Sequence, residues 1–107
     1  MLSKILYNLF LILYSAGIRI ASVWNGKAAK WVNGRKNTLA TINGEQLFTN
    51  NQPIWMHCAS LGEFEQGRPL LEELKLHNPD KKIVLSFFSP SGYEVMKDYG
   101  GADLICY

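Results

Sequence analysis

Two short stretches combine the residue types that reaction chemistry needs. The first is Ser60-Leu61-Gly62-Glu63, which follows the apolar run Ile54-Trp55-Met56-His57-Cys58-Ala59. A strand that ends here and a helix that begins here would put Glu63 in the first turn of that helix. In open α/β folds, ligands bind outside the carboxyl ends of strands. At such a place Gly62 lets a ligand approach the backbone closely. The free N–H groups of the first turn point at that ligand, and the Glu63 carboxylate can take a proton from a hydroxyl. The same spacing has a purely structural reading. S-x-x-E is the capping-box pattern, with Ser60 as the N-cap and Glu63 at the third helical position.

The second stretch is Ser89-Pro90-Ser91-Gly92, after the apolar run Lys82–Phe88. Ser89 suits an N-cap and Pro90 a first helical residue. Its functional reading is hydrogen bonding to a phosphate or sugar at the helix start, and its structural reading is capping alone. His57 lies on the first apolar run, where an imidazole is more often a satisfied structural residue than a catalyst. Cys58 and Cys106 also sit in apolar runs and read as small core residues. No Cys/His metal spacing is present, so neither metal nor cofactor is expected. Gly-x-Gly-x-x-Gly is absent from both turns, which disfavours a dinucleotide oxidoreductase. No nucleic-acid recognition motif accompanies the basic residues, so nucleic acid is not an expected partner.

The elements that must position these turns follow from the pattern. A strand is expected over Ile54–Ala59, buried on both faces because it lacks clean alternation. A helix is expected over Gly62–Lys75, with Phe64, Leu70, Leu71 and Leu74 on one stripe and Pro69 as a kink or a fresh first turn. A second strand, Lys82–Phe88, leads to a helix from Pro90 to about Tyr99, which stops at Gly100-Gly101. A third strand is expected over Asp103–Tyr107. The order β-α-β-α-β predicts an α/β fold with a Rossmann-like parallel sheet. The third run ends with no helix behind it, so the expectation is a truncated domain of a larger protein.

The chain before Ile54 has a different character. Residues 1–44 carry six basic residues and no acid, while residues 45–107 carry five basic and nine acidic residues. Ile5–Ile18 is apolar apart from Asn8 and Ser15. That is short of the roughly 20 residues of a full span, but Ile20–Trp24 extends it if Arg19 snorkels. A cleaved signal peptide would need a better small-residue site than Ser15-Ala16-Gly17. A soluble core helix would have to bury an all-round apolar surface in a 107-residue chain. A membrane-associating helix over residues 1–24 is preferred, spanning or interfacial, with Tyr7, Tyr14 and Trp24 at headgroup level. A basic helix and linker follow over residues 25–53. There Lys27, Lys30, Arg35 and Lys36 join Arg19 as candidate lipid-facing cations on the cytoplasmic side. A solvated basic helix fits the same residues. Ile42–Pro53 reads as a turn-rich surface connection, and residues 54–107 as the globular part.

Taken together, His57-Cys58-Ala59-Ser60-Leu61-Gly62-Glu63, Pro69-Leu70 and Phe88-Ser89-Pro90-Ser91-Gly92, behind an apolar N-terminus, resemble the N-terminal domain of the 3-deoxy-D-manno-octulosonic acid (Kdo) transferases. The usual text there is close to H-A-V-S-V-G-E, with T-P-T-G or S-P-x-x at the second turn. Cys58, Leu61 and Ser91 are mild departures. The resemblance implies a GT-B fold, of which this chain would be part of the acceptor-side half. It implies metal-free transfer of Kdo from CMP-Kdo to a lipid A precursor, with inversion, during lipopolysaccharide synthesis. The catalytic base would be Glu63, and Ser60, Gly62, Ser89, Ser91 and Gly92 would contact substrate. Most of the CMP-Kdo site would lie in a second domain, and the location would be the cytoplasmic face of the bacterial inner membrane. Another membrane-associated GT-B glycosyltransferase, or a non-catalytic membrane-anchored binding module, are the alternatives.

Overall fold

A computed structural model describes residues 1–44 and 52–107, which form two compact units, Met1–Asn33 and Gly34–Tyr107. In the first unit, α1 spans Leu2–Ala21 and none of its residues is buried. Its 20 residues are long and apolar enough to cross a membrane, since they rise about 30 Å at 1.5 Å each. Ser22 ends α1, its hydroxyl donating to the Arg19 carbonyl at 2.6 Å. The side chain of Asn25 then accepts the amides of Lys27 and Ala28 at 2.9 and 3.2 Å. That bond pattern starts α2, Gly26–Arg35.

The basic helix expected from the sequence is thus broken at Lys36-Asn37, and α3 follows over Thr38–Gly44. This corrects the expected surface connection at its start. Ile42-Asn43-Gly44 is helical rather than a turn, and Ile42 packs on Val84, Leu104 and Cys106. Packing a partly buried isoleucine against the sheet outweighs the turn preference of Asn-Gly. Of the rest of that expected connection, residues 45–51 lie outside the described residues.

The second unit is built on three parallel strands, β1 (Ile54–Cys58), β2 (Ile83–Phe87) and β3 (Leu104–Cys106), in that spatial order. Cα partners run from Ile54↔Ile83 to Cys58↔Phe87, and from Val84↔Leu104 to Ser86↔Cys106. Two helices connect them, α4 (Leu61–His77) and α5 (Pro90–Met96). Both cover one sheet face, where Phe64 and Leu71 of α4 and Met96 of α5 meet Cys58, Ile83, Leu85 and Phe87. Phe64 is the centre of that layer, edge-on to Phe87 and to Tyr99. With Phe64 and Leu71 wholly buried on either side of it, Pro69 is carried inside one continuous helix instead of starting a new one.

β2 is the central strand and is buried throughout. β1 is not buried on both faces as expected. Ile54, Met56 and Cys58 turn to the helices, while Trp55 and His57 are exposed on the other face. The run lacks visible alternation because the outward positions hold an indole and an imidazole rather than charged residues. α5 ends three residues before Tyr99, whose amide then closes a turn on the Met96 carbonyl at 2.9 Å.

Candidate active site

The two turns singled out in the sequence lie side by side at the carboxyl ends of β1 and β2. Hydrogen bonding between the strands continues past their ends. The Phe88 amide donates to the Cys58 carbonyl at 3.1 Å, and the Ser89 amide to the Ala59 carbonyl at 3.0 Å. Gly92 brings the helices together at the same point. A Cβ there would lie 2.6 Å from Phe87 Cδ1 and 3.2 Å from the Leu61 backbone nitrogen. Gly92, which the resemblance expects to contact substrate, is a close-packing glycine buried between α5, β2 and the start of α4. Gly62 is the opposite case. A Cβ on it would meet only Ser60 Oγ, at 3.8 Å, so nothing in the fold requires a glycine there.

Glu63 stands exposed at the first of these turns. Ser60 is the N-cap of α4, in extended backbone with φ −142 and ψ 168, and its hydroxyl accepts the Glu63 amide at 3.3 Å. The Glu63 carboxylate in turn accepts the Ala59 amide at 2.5 Å. The pair is reciprocal, as in a capping box, but the carboxylate reaches one residue further back than the N-cap itself. The capping reading of Ser60 and Glu63 is what the bonds describe: a cap holds one carboxylate oxygen on a backbone N–H and leaves the group at the surface.

The second turn differs from expectation. Ser89 occupies the N-cap position with Pro90 behind it, yet its side chain makes no capping bond. Ser89 Oγ pairs with Ser91 Oγ at 2.7 Å instead. The turn therefore offers two linked hydroxyls beside the Glu63 turn.

His57 faces away from α4 and α5. Its Nδ1 lies 2.8 Å from Ser86 Oγ, which also accepts the indole N–H of Trp55 at 2.8 Å. Ser86 is a buried polar hub that sequence reading missed. Its signal was a lone hydroxyl inside Ile83-Val84-Leu85-Ser86-Phe87. His57 is satisfied by this hub, in keeping with a structural role, although it is exposed rather than in the core. Burial pushes the Cys58 thiol up, and the Glu63 charge adds to that. Burial alone pushes up the Cys106 thiol. Both are held away from the reactive thiolate. Among the described residues, no group of three or more His, Cys, Asp or Glu could hold a metal ion.

The cations divide into two sets. Arg19, Lys27 and Lys30 lie exposed on α1 and α2, and Lys36 is exposed just after α2. Arg35 departs from the lipid-facing set. Its guanidinium donates to the Phe88 carbonyl at 2.8 Å and stacks over the Phe88 and Tyr107 rings at 5.1 and 5.3 Å. No local pattern marks this residue, because its partners lie more than 50 positions away in the chain.

A family model described as 3-deoxy-D-manno-octulosonic-acid transferase (kdotransferase) matches residues 29–107, which hold both turns and all three strands. The chain belongs to the Kdo transferase family. A relative from Aquifex aeolicus (strain VF5), a 3-deoxy-D-manno-octulosonic acid transferase, is 43% identical over 53 residues, half of this chain and 14% of its own length. No solved structure matches. The Kdo transferase match begins within α2, so the family region takes in Arg35 as well as Glu63 and leaves α1 outside.

Proposed function

We propose that this chain forms part of the acceptor-side domain of an inverting GT-B Kdo transferase, with Glu63 as the general base. The observation that carries the reading is the Glu63 carboxylate, exposed at the joined carboxyl ends of β1 and β2 and held there by the Ala59 amide. In the reaction, the carboxylate accepts the proton of an acceptor hydroxyl. The hydroxyl oxygen attacks the anomeric carbon of Kdo, and the bond to CMP breaks on the opposite side, which inverts that carbon. The donor is CMP-Kdo and the acceptor a lipid A precursor of lipopolysaccharide synthesis. Ser60, Gly62, Ser89 and Ser91 line the acceptor side, Gly62 by leaving room next to the backbone.

The transfer needs donor and acceptor held together, and that alignment supplies much of the rate. Residues 1–107 present one wall of such a cleft, so the activity is assigned to a polypeptide that also carries a donor-binding domain. The lipid acceptor suits a protein on the cytoplasmic face of the inner membrane. α1 would attach it there, and Arg19, Lys27, Lys30 and Lys36 would meet anionic headgroups.

The test is Glu63→Gln in a full-length transferase that contains these residues. The amide keeps an oxygen for the Ala59 N–H, so the fold is retained, while transfer falls by roughly 10²–10⁴. Turnover close to that of the unaltered enzyme would sink the base assignment. One observation favours a second reading, a membrane-anchored binding module: the carboxylate already has a structural partner in the cap. In that case Glu63→Gln would change neither stability nor any transfer activity, and screening CMP- and UDP-sugars as donors would yield no product.

A further inference from the structure

Arg35 is joined to the Glu63 carboxylate by two sets of hydrogen bonds that are linked through the covalent backbone at Phe88 and Ala59. Its guanidinium donates to the carbonyl of the Phe88–Ser89 peptide. The N–H of that same peptide donates to the Ala59 carbonyl. One residue earlier, the Phe88 N–H donates to the Cys58 carbonyl. The Cys58–Ala59 peptide so held uses its own N–H to hold Glu63 Oε2. Two of these peptides, Phe88–Ser89 and Cys58–Ala59, are each gripped on both sides, which leaves them little freedom to rotate.

The end of α2 is fastened firmly enough to anchor these bonds. The Tyr107 ring lies against the backbone of Gly34, where a Cβ would fall 2.2 Å from Tyr107 Cε2. Tyr107 stacks in turn on Tyr93 of α5, with ring centroids 4.3 Å apart. The guanidinium is placed over both Tyr107 and Phe88. A planar guanidinium can stack and donate at once, which an ammonium cannot do equally well. A charged donor also makes a stronger bond to a carbonyl than a neutral one.

We propose that Arg35 is a positioning residue for the catalytic carboxylate: it clamps the β2–α5 turn, and the clamped turn fixes the Ala59 amide that orients Glu63. The inference rests on the reading of Glu63 as base, but its structural half stands without it.

Two measurements separate the halves. The first is amide hydrogen exchange on the 107-residue chain, wild type against Arg35→Met and Arg35→Lys. Loss of a hydrogen bond from a charged donor should speed exchange at Phe88, Ser89 and Ala59 by roughly tenfold to a hundredfold in Arg35→Met. Arg35→Lys, which keeps a cation over the rings, should fall between. The amides of Ile54 and Asp103, bonded to Lys82 and Ile83 carbonyls at the opposite end of the sheet, should be unchanged. Acceleration confined to Phe88 and Ser89 would overturn the link to Glu63. Equal acceleration at all five amides in both variants would reduce Arg35 to general stability and overturn the proposal.

The second measurement is a kinetic cycle in a full-length transferase. Arg35→Met should lower kcat about tenfold with KM for CMP-Kdo unchanged, and should have no further effect once Glu63→Gln is present. An equal effect of Arg35→Met in both backgrounds would overturn action through Glu63. Normal turnover in Glu63→Gln alone would instead overturn the base reading and leave the exchange result standing.

Discussion

Two glycines at the paired turns should respond in opposite ways to the same added methyl group. At Gly92 an alanine Cβ would lie 2.6 and 3.1 Å from Phe87 Cδ1 and Cε1, and 3.2 Å from the Leu61 nitrogen. Carbon atoms pack best at about 3.5–4.0 Å, so the methyl is roughly 1 Å too close to the ring. Phe87 is wholly buried under Phe64 and cannot swing aside, and the Leu61 nitrogen is backbone. Overpacking of this kind costs about 1–3 kcal/mol. Two rigid neighbours place this site at the upper end. Replacing a helical glycine by alanine returns up to about 1 kcal/mol of propensity, so Gly92→Ala should destabilise by roughly 2 kcal/mol. Gly62→Ala meets only Ser60 Oγ at 3.8 Å and should be neutral or stabilising by less than about 1 kcal/mol. The assay is urea unfolding of the 107-residue chain followed by far-UV circular dichroism. The Gly92→Ala midpoint should fall with the slope unchanged. In a full-length transferase the order should reverse in KM for the acceptor: Gly62→Ala should raise it, because the methyl occupies space left for the ligand. Equal urea midpoints for the two variants would refute the packing argument, and an unchanged acceptor KM in Gly62→Ala would refute the ligand approach at Gly62.

Two further outcomes are expected. Burial of Asp103 acts to raise its pKa, but the Ile83 amide and the charges of Lys82 and Lys75 outweigh it and hold the carboxyl below its ordinary value. Its contribution to stability is therefore present above the unfolded carboxylate pKa and is lost as pH falls through the lower folded value. Urea midpoints measured from pH 6 down to 2 should drop over that acidic range, and Asp103→Asn should flatten the drop; an unaltered slope in the variant would assign it to other carboxylates. Removing residues 1–24 should improve the solubility of the chain and abolish its sedimentation with vesicles containing anionic lipid. Equal sedimentation of both forms would mean that α1 is not the membrane attachment.

Local chemistry was enough to reveal most of the elements and the candidate base. Apolar runs bounded by Ser-x-Gly, Asn-Pro-Asp and Ser-Pro-Ser-Gly marked three strands and two helices, because turns and caps demand residue types that strands avoid. The Ser60/Glu63 pair is a four-residue pattern, and its reciprocal bonding was legible for the same reason. What lay beyond the sequence was everything decided by distance in space. Gly92 reads as a ligand-contact glycine in its own turn, and only the approach of α5 to Leu61 and Phe87 makes it a packing residue. Ile42 follows a basic stretch and precedes asparagine and glycine, yet it covers Val84 and Cys106 because the reverse face of the sheet offers an apolar partner. Arg35 reads as one cation among six, and becomes a clamp on the turn beside Glu63 only through Phe88 and Tyr107, residues from the far side of the chain. Patterns of four residues record what a helix or turn needs of its own side chains. Which charge reaches the turn beside Glu63 depends on how separate elements pack, and no local spacing encodes that.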